Sequence, residues 1–255
     1  MLVKLPNGLV DGVDHFNMAE LDELRGKQQN YLADKELVIG NIGHIPKILE
    51  DMILSLQTEQ GLKWQGKISE AIWKLPSGDL ETILVKIREN TYGPRFYHQA
   101  QCTHCEKIVK NLRLDLDELA VTYYPLTDLM KAKVLTLPKA NLEVELKPIF
   151  LKDLFDVIKV TSAKQDKMIT SILAISMKRL GTKQKVTSED VDALSMKDIM
   201  FLQEQTDQIV LEGEIDTDVE VTCDNPECKK DFHMKLNVFD PSFFAPTKGS
   251  QSSST

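Results

Sequence analysis

Two turns decide the fold: Gln101-Cys102-Thr-His-Cys105-Glu106 in the first half of the chain and Thr222-Cys223-Asp-Asn-Pro-Glu-Cys228-Lys229 in the second. Each lies between stretches that alternate apolar and polar residues. Phe96 and His98 precede the first turn, and Leu112, Leu114 and Leu116 follow it. Val219 and Val221 precede the second, and Phe232, Met234, Leu236 and Val238 follow it. Period two on both sides of a turn predicts a β-hairpin, so each cysteine pair is expected on a hairpin knuckle. All four cysteines of the chain fall in these two knuckles. That is too few for a disulfide scaffold in 255 residues, and it is the grouping a thiolate metal site requires.

Working outward, the two halves repeat one order of features at an offset of roughly 120–130 residues. Leu5-Pro6 and Leu137-Pro138 each open a short stretch suited to strands. Segments at Met18–Leu24 and Leu151–Ile158 carry apolar residues at helical spacing. Longer apolar stripes follow, from about Asn41 to Gln60 (Ile42, Ile45, Leu49, Met52, Ile53, Leu56) and over Met168–Leu180, stopped by Gly61 and Gly181. A further helix starts after Leu75-Pro-Ser-Gly78 and another at Asp198, with Asp79 and Asp198 at matching places. The expected architecture is α+β: two duplicated lobes of helices with β-hairpins, residues 1–125 and 126–247, then a polar, disordered tail at 248–255.

Zinc takes four tetrahedral N or S ligands, and cysteines two to four residues apart can point both thiolates at one ion. If the lobes pack about a pseudo-twofold axis, Cys102, Cys105, Cys223 and Cys228 share one structural Zn²⁺ that clamps the halves together. Three other arrangements compete with this one. The chain could hold two separate sites completed by His98 or His104 and by His233, four metal-free thiols, or a redox pair at Cys102 and Cys105. The last lacks the helix N-terminus that stabilises a reactive thiolate.

With 31 Lys and Arg against 39 Asp and Glu, the net charge is −8, and neither half forms a basic lobe that would follow a phosphate backbone. The sequence contains no G-x-G-x-x-G, P-loop, H-E-x-x-H or G-x-S-x-G motif, and four thiolates on zinc leave no position for a substrate. Neither an enzyme nor a small-molecule substrate is expected. His15 and His44 read as surface or capping residues. No apolar run is long enough to span a bilayer, and the start lacks a leader pattern, so neither membrane insertion nor export is expected. The segment Phe239-Asp-Pro-Ser-Phe-Phe-Ala-Pro246 is extended and apolar. It either packs on the chain's second half or docks a partner through Phe239, Phe243 and Phe244.

Taken in order, Leu75-Pro-Ser-Gly78, Arg88-Glu-Asn-Thr-Tyr92-Gly-Pro94, Cys102-Thr-His-Cys105, Gly213-Glu-Ile215-Asp216 and Phe243-Phe244-Ala-Pro246 resemble the T4-like baseplate family of contractile-tailed bacteriophages, which includes hub and hub-assembly proteins. The resemblance runs over most of the chain. It implies a late structural or assembly protein that contacts other baseplate hub proteins in the host cell cytoplasm, either kept in the virion or released. Two departures stand out: the wider spacing of Cys223 and Cys228, and Leu137-Pro-Lys-Ala140 in place of a second Leu-Pro-Ser-Gly turn. The alternative in another class is a zinc protein that binds nucleic acid or regulates.

Overall fold

A computed structural model of the chain describes residues 1–34, 43–124, 131, 133–161, 167–208 and 213–245. Strands β1 (Leu2–Asp11) and β2 (Asp14–Leu21) form a hairpin, and helices α1 (Gly26–Ala33) and α2 (Ile45–Met52) lead to β3 (Ile53–Gln57), which pairs with β2. After α3 (Ile68–Ala71) comes α4 (Ser77–Tyr92), then the hairpin of β4 (Arg95–Gln101) and β5 (Ile108–Asp115) and the short β6 (Val121–Thr122). The order then recurs. Strands β7 (Lys133–Thr136) and β8 (Glu143–Leu146) are followed by α5 (Leu151–Thr161), α6 (Met168–Ile175) and β9 (Met177–Leu180), which pairs with β8. Helices α7 (Ser188–Asp192) and α8 (Met196–Gln208) precede β10 (Glu214–Ile215) and the hairpin of β11 (Asp218–Thr222) and β12 (Asp231–Lys235). Mixed helices and small antiparallel sheets make the fold α+β.

The sequence misplaces three elements. Met18–Leu24 is not helical: β2 runs to Leu21, with Ala19 and Leu21 buried and Met18 and Glu20 half-buried between them. The long helix expected to Gln60 stops at Met52, and Ile53 and Leu56 are buried from strand β3. Met177 and Leu180 likewise belong to β9. Short apolar runs fit three-residue spacing and strand burial equally well, and pairing with a waiting hairpin decides between them. Gly61 (φ 86°) and Gly181 (φ 58°) therefore turn the chain after strands, not after helices. Ile42 and Asn41, the expected disordered tail and the 125/126 boundary lie outside the described residues.

The two three-stranded sheets share a register. Ala19 faces Leu56 and Leu21 faces Ile53 in the first; Val144 faces Leu180 and Leu146 faces Met177 in the second. Each sheet is tied to its long helix by an aspartate. Asp79, in the first turn of α4, accepts the N–H of Asn7 and of Gly8 at 2.7 Å each, just after Leu5-Pro6. Asp198, in the first turn of α8, accepts the N–H of Lys139 at 2.8 Å and of Ala140 at 3.2 Å, just after Leu137-Pro138. Burial lifts the Asp79 carboxyl to about 7 against the pull of the Asn7 and Gly8 donors. At Asp198 burial is outweighed by bonds from Lys139, Ser195 and Ala140, and the carboxyl sits below its usual range. Asn7 also clasps Gly213, accepting from its N–H at 2.6 Å and donating to its carbonyl at 2.8 Å. A Cβ on Gly78 would meet the Gly213 oxygen at 2.0 Å, and one on Gly213 would meet the Thr122 oxygen at 2.4 Å, which accounts for glycine at both positions.

The cores divide unevenly. One cluster joins the first sheet, α2 and α4 to both cysteine hairpins and the C-terminal phenylalanines. The other holds Leu137, Val144, Leu146, Leu173, Met177, Val191 and Leu202 of the second half. Phe243 and Phe244, expected as partner contacts, are 2% and 1% exposed, and they pack among residues of the first half. The Phe243 ring lies 5.3 Å from Phe96, its carbonyl accepts from Arg88 Nε at 3.0 Å, and the buried guanidinium stands 4.7 Å from the Phe96 ring. The segment is apolar because it closes this core, so the partner-contact expectation is corrected for these two rings. Phe239 is half-buried.

His15 is half-buried, and its ring pairs with the Asn7 carbonyl. His44 departs from expectation: it occupies the N-cap position of α2 yet is fully buried, with neither ring nitrogen hydrogen-bonded. Burial pushes its imidazole down to about 4, against a smaller opposing pull from Asp240. A histidine titrating near 6.5 when unfolded and near 4 when folded binds fewer protons in the native state between those values. Its contribution to stability is therefore present at neutral pH and lost as pH falls, by about 3 kcal/mol at pH 4. His44→Met should flatten that part of the profile. Urea unfolding of wild type and variant from pH 4 to 7 checks this, and parallel curves would contradict it.

Candidate metal centre

The β4–β5 and β11–β12 hairpins meet at their turns. Registers ending at Gln101 with Ile108 and at Thr222 with Asp231 leave the cysteines in tight loops beyond the ladders. The first loop is closed by Cys102 N–H to Lys107 O (2.9 Å) and Glu106 N–H to Cys102 O (2.9 Å). The second is closed by Cys223 N–H to Lys230 O (3.0 Å) and Lys229 N–H to Asn225 O (3.1 Å). The residue after the second cysteine is left-handed in both, Glu106 at φ 60° and Lys229 at φ 46°, so the two knuckles repeat one backbone path despite their different lengths.

All four sulfurs lie within 4.8 Å of one another. Cys102 and Cys228 are 3.9 Å apart, Cys105 and Cys223 3.7 Å, each pair crossing from one hairpin to the other. An ion bonded to four thiolates at about 2.3 Å in a tetrahedron sets sulfur–sulfur edges of about 3.8 Å. A disulfide would need about 2.05 Å. The spacing fits a metal site and is too long for bridged pairs.

Surrounding polar groups support thiolates. The His104 N–H points at Cys102 Sγ (3.4 Å) and the Asn225 side-chain amide at Cys105 Sγ (3.6 Å). The Lys107 N–H, followed by Asn225, holds Cys105 down at about 6, whereas burial pushes Cys223 up to about 12. Thiolates this close repel one another, so ionising all four requires a compensating cation. Cys102 and Cys223 are buried at the edge of the first core, and Cys105 and Cys228 are half-buried.

No histidine joins the cluster among the described residues. His104 spans the hairpins through its ring, with Nε2 3.0 Å from the Asp231 carbonyl. His98 stacks on Phe96 with centroids 5.6 Å apart, and His233 lies 3.4 Å from Asp218 and 4.0 Å from Glu220. The four cysteines come together as the knuckle spacing suggests, and the two-site arrangement with histidine completion is not what the chain builds. Sequence reasoning missed Asn225, whose signal was a polar side chain between two cysteines of one turn. It also missed the link from Lys107 Nζ to Asn225 Oδ1 (3.3 Å) across the hairpins.

Fold and site together define a small α+β protein whose distant hairpins are drawn to one four-thiol centre. The chain belongs to the T4 bacteriophage base plate protein family, whose family model matches residues 35–245. It is thus a phage baseplate structural protein, a class that works in contact with other baseplate proteins. No curated protein and no solved structure gives a significant match. Residues that carry the family resemblance meet in space: Arg88 holds Phe243, and Gly78 abuts Gly213. No helix among the described residues is long and apolar enough to cross a membrane.

Proposed function

We propose that the chain is a structural or assembly subunit of the baseplate hub of a contractile-tailed phage, acting through protein–protein contacts and braced by one structural Zn²⁺ on Cys102, Cys105, Cys223 and Cys228. The observation that carries this reading is the four-sulfur cluster drawn from two hairpins far apart in sequence, in a chain of the base plate family. Soft tetrahedral thiolate sets favour zinc among common divalent ions. With every coordination position filled by protein, the ion binds no substrate, and its role is to hold the halves together. The two lobes descend from one duplicated unit, supported by the shared sheet register and by the Asp79 and Asp198 ties. A net charge of −8 disfavours nucleic acid. Assembly takes place in the reducing host cytoplasm, where thiols persist for metal. Of the three phenylalanines expected at partner contacts, Phe239 retains surface for that role.

Sedimentation of lysate from infected cells tests the reading. The chain is expected in fractions with hub and baseplate intermediates, and the purified protein should ignore DNA at physiological salt. Migration apart from every tail intermediate, or salt-sensitive retention on DNA, would overturn it.

A further inference from the structure

We propose that the four-sulfur nest stands assembled before any ion enters it, with Asn225 as the residue that positions its thiols across the two hairpins. The inference rests on the single-centre reading above and says how that site is held ready. Three sets of contacts join the hairpins without metal. At their base, β6, which follows the first hairpin, pairs with β10, which leads into the second: Val121 faces Ile215, and the Asp216 N–H reaches the Ala120 carbonyl at 2.7 Å. Along their length, Phe96, Val109, Val221 and Phe232 are buried in one core with Cys102 and Cys223. At their tips, His104 Nε2 meets the Asp231 carbonyl at 3.0 Å, and Lys107 Nζ donates to Asn225 Oδ1 at 3.3 Å. Hairpins gripped at base, middle and tip have little freedom left for an ion to remove, so the ion locks a pair already in contact.

The wider spacing of the second knuckle gives Asn225 its place. In the first knuckle the Cys102 carbonyl closes the turn by accepting the Glu106 N–H at 2.9 Å. In the second, the closing carbonyl belongs to Asn225, which accepts from Lys229 at 3.1 Å and also from Cys228 at 2.9 Å. The left-handed residues Glu106 and Lys229 fall at the same step of the two turns. On the path of the turn, Asn225 therefore stands where Cys102 stands, and the second hairpin's ligand lies further upstream at Cys223. The amide in that place reaches across to the other hairpin. Its Nδ2 points at Cys105 Sγ at 3.6 Å, while Oδ1 takes Lys107 Nζ and, at 3.5 Å, the Glu227 N–H. An ammonium only donates, so the oxygen is the end that faces Lys107 and the NH₂ end is left for the sulfur. With both ends held, the amide is oriented before a metal arrives.

Cobalt(II), whose absorption bands report the ligand set, serves as the probe on the full chain stripped of metal under reducing conditions. The metal-free wild type should unfold in urea in one cooperative transition and take up cobalt at a rate proportional to cobalt concentration. Loss of cooperative unfolding, or a rate that levels off because the hairpins must first close, would overturn a preformed nest. Asn225→Ala should weaken cobalt binding by about ten- to a hundredfold with the four-sulfur spectrum unchanged, a combination that loss of a ligand does not give. Asn225→Asp keeps an acceptor for Lys107 but has no N–H for Cys105, and it should weaken binding at least as much. Lys107→Met should weaken binding by a smaller factor in the wild-type chain and not at all beside Asn225→Ala, because Lys107 acts through the amide. Wild-type affinity in both Asn225 variants, with a normal four-sulfur spectrum, sinks the positioning role and leaves the single-centre reading intact. No uptake by the wild type, or a spectrum of fewer than four sulfurs, sinks both.

Discussion

Replacing Cys105 or Cys228 with serine should destabilise the chain by nearly the same amount, on the order of 5 kcal/mol, and replacing both should cost little more than replacing either. The two residues sit on different hairpins, and each sulfur lies within 4.8 Å of the other three. If one ion joins them, losing any ligand breaks a single shell, and the second substitution has no shell left to break. Apparent binding energies of structural thiolate zinc sites, about 10–16 kcal/mol, exceed the stability of most domains, so a weakened site is felt throughout the cooperative unit. Cys102 and Cys223 belong to the same buried cluster as Leu80, Ile83 and Phe243, which is why the loss should spread beyond the hairpins. Urea unfolding at fixed metal concentration reads this out. Additive losses, or two transitions each moved by only one substitution, would show that the sulfurs do not act as one group.

The second large effect is expected at Asp79. Its carboxylate is fully buried and receives Asn7 N–H, Gly8 N–H and, at 3.3 Å, the Asn7 amide. Asp79→Ala strips those donors of their acceptor where water cannot replace it, and the loss should be about 3–5 kcal/mol. Asp79→Asn should recover little of it, because donors arrive at both Oδ1 and Oδ2 and an amide offers one acceptor oxygen. Asp198→Ala removes the matching tie in the second half, which Ser195 Oγ reinforces at 2.7 Å, and about 2–3 kcal/mol should go with it. Equilibrium unfolding of the three variants checks these values. A cost below about 1 kcal/mol at Asp79 would mean that the network among residues 7, 79 and 213 does not hold the fold.

Much of this arrangement is legible in the sequence, though only in pieces. The cysteine turns, the hairpins around them, the start of α4 and the matched Asp79 and Asp198 all show in local pattern, because each depends on residues close together in the chain. That Asp79 and Asp198 bind the backbone just after Leu5-Pro6 and Leu137-Pro138 does not show, since the partners of a buried carboxylate are set by tertiary packing. The strands at Ile53 and Met177 were hidden because their hydrogen bonds go to β2 and β8, formed well upstream. Burial of Phe243 and Phe244 was one of the two outcomes the segment's composition allowed, but that the first half covers them, and not the second, was equally out of reach. An apolar segment announces that it will be covered, and only the Arg88 and Phe96 pocket says by what.

Metal content tests the central claim most directly. Mass spectrometry of the native protein, purified without added metal or chelator, should find one zinc ion per chain, and any of the four Cys→Ser variants should be left without it. Two ions per chain, none, or a full complement retained after losing either cysteine pair would contradict a single centre joining the two halves.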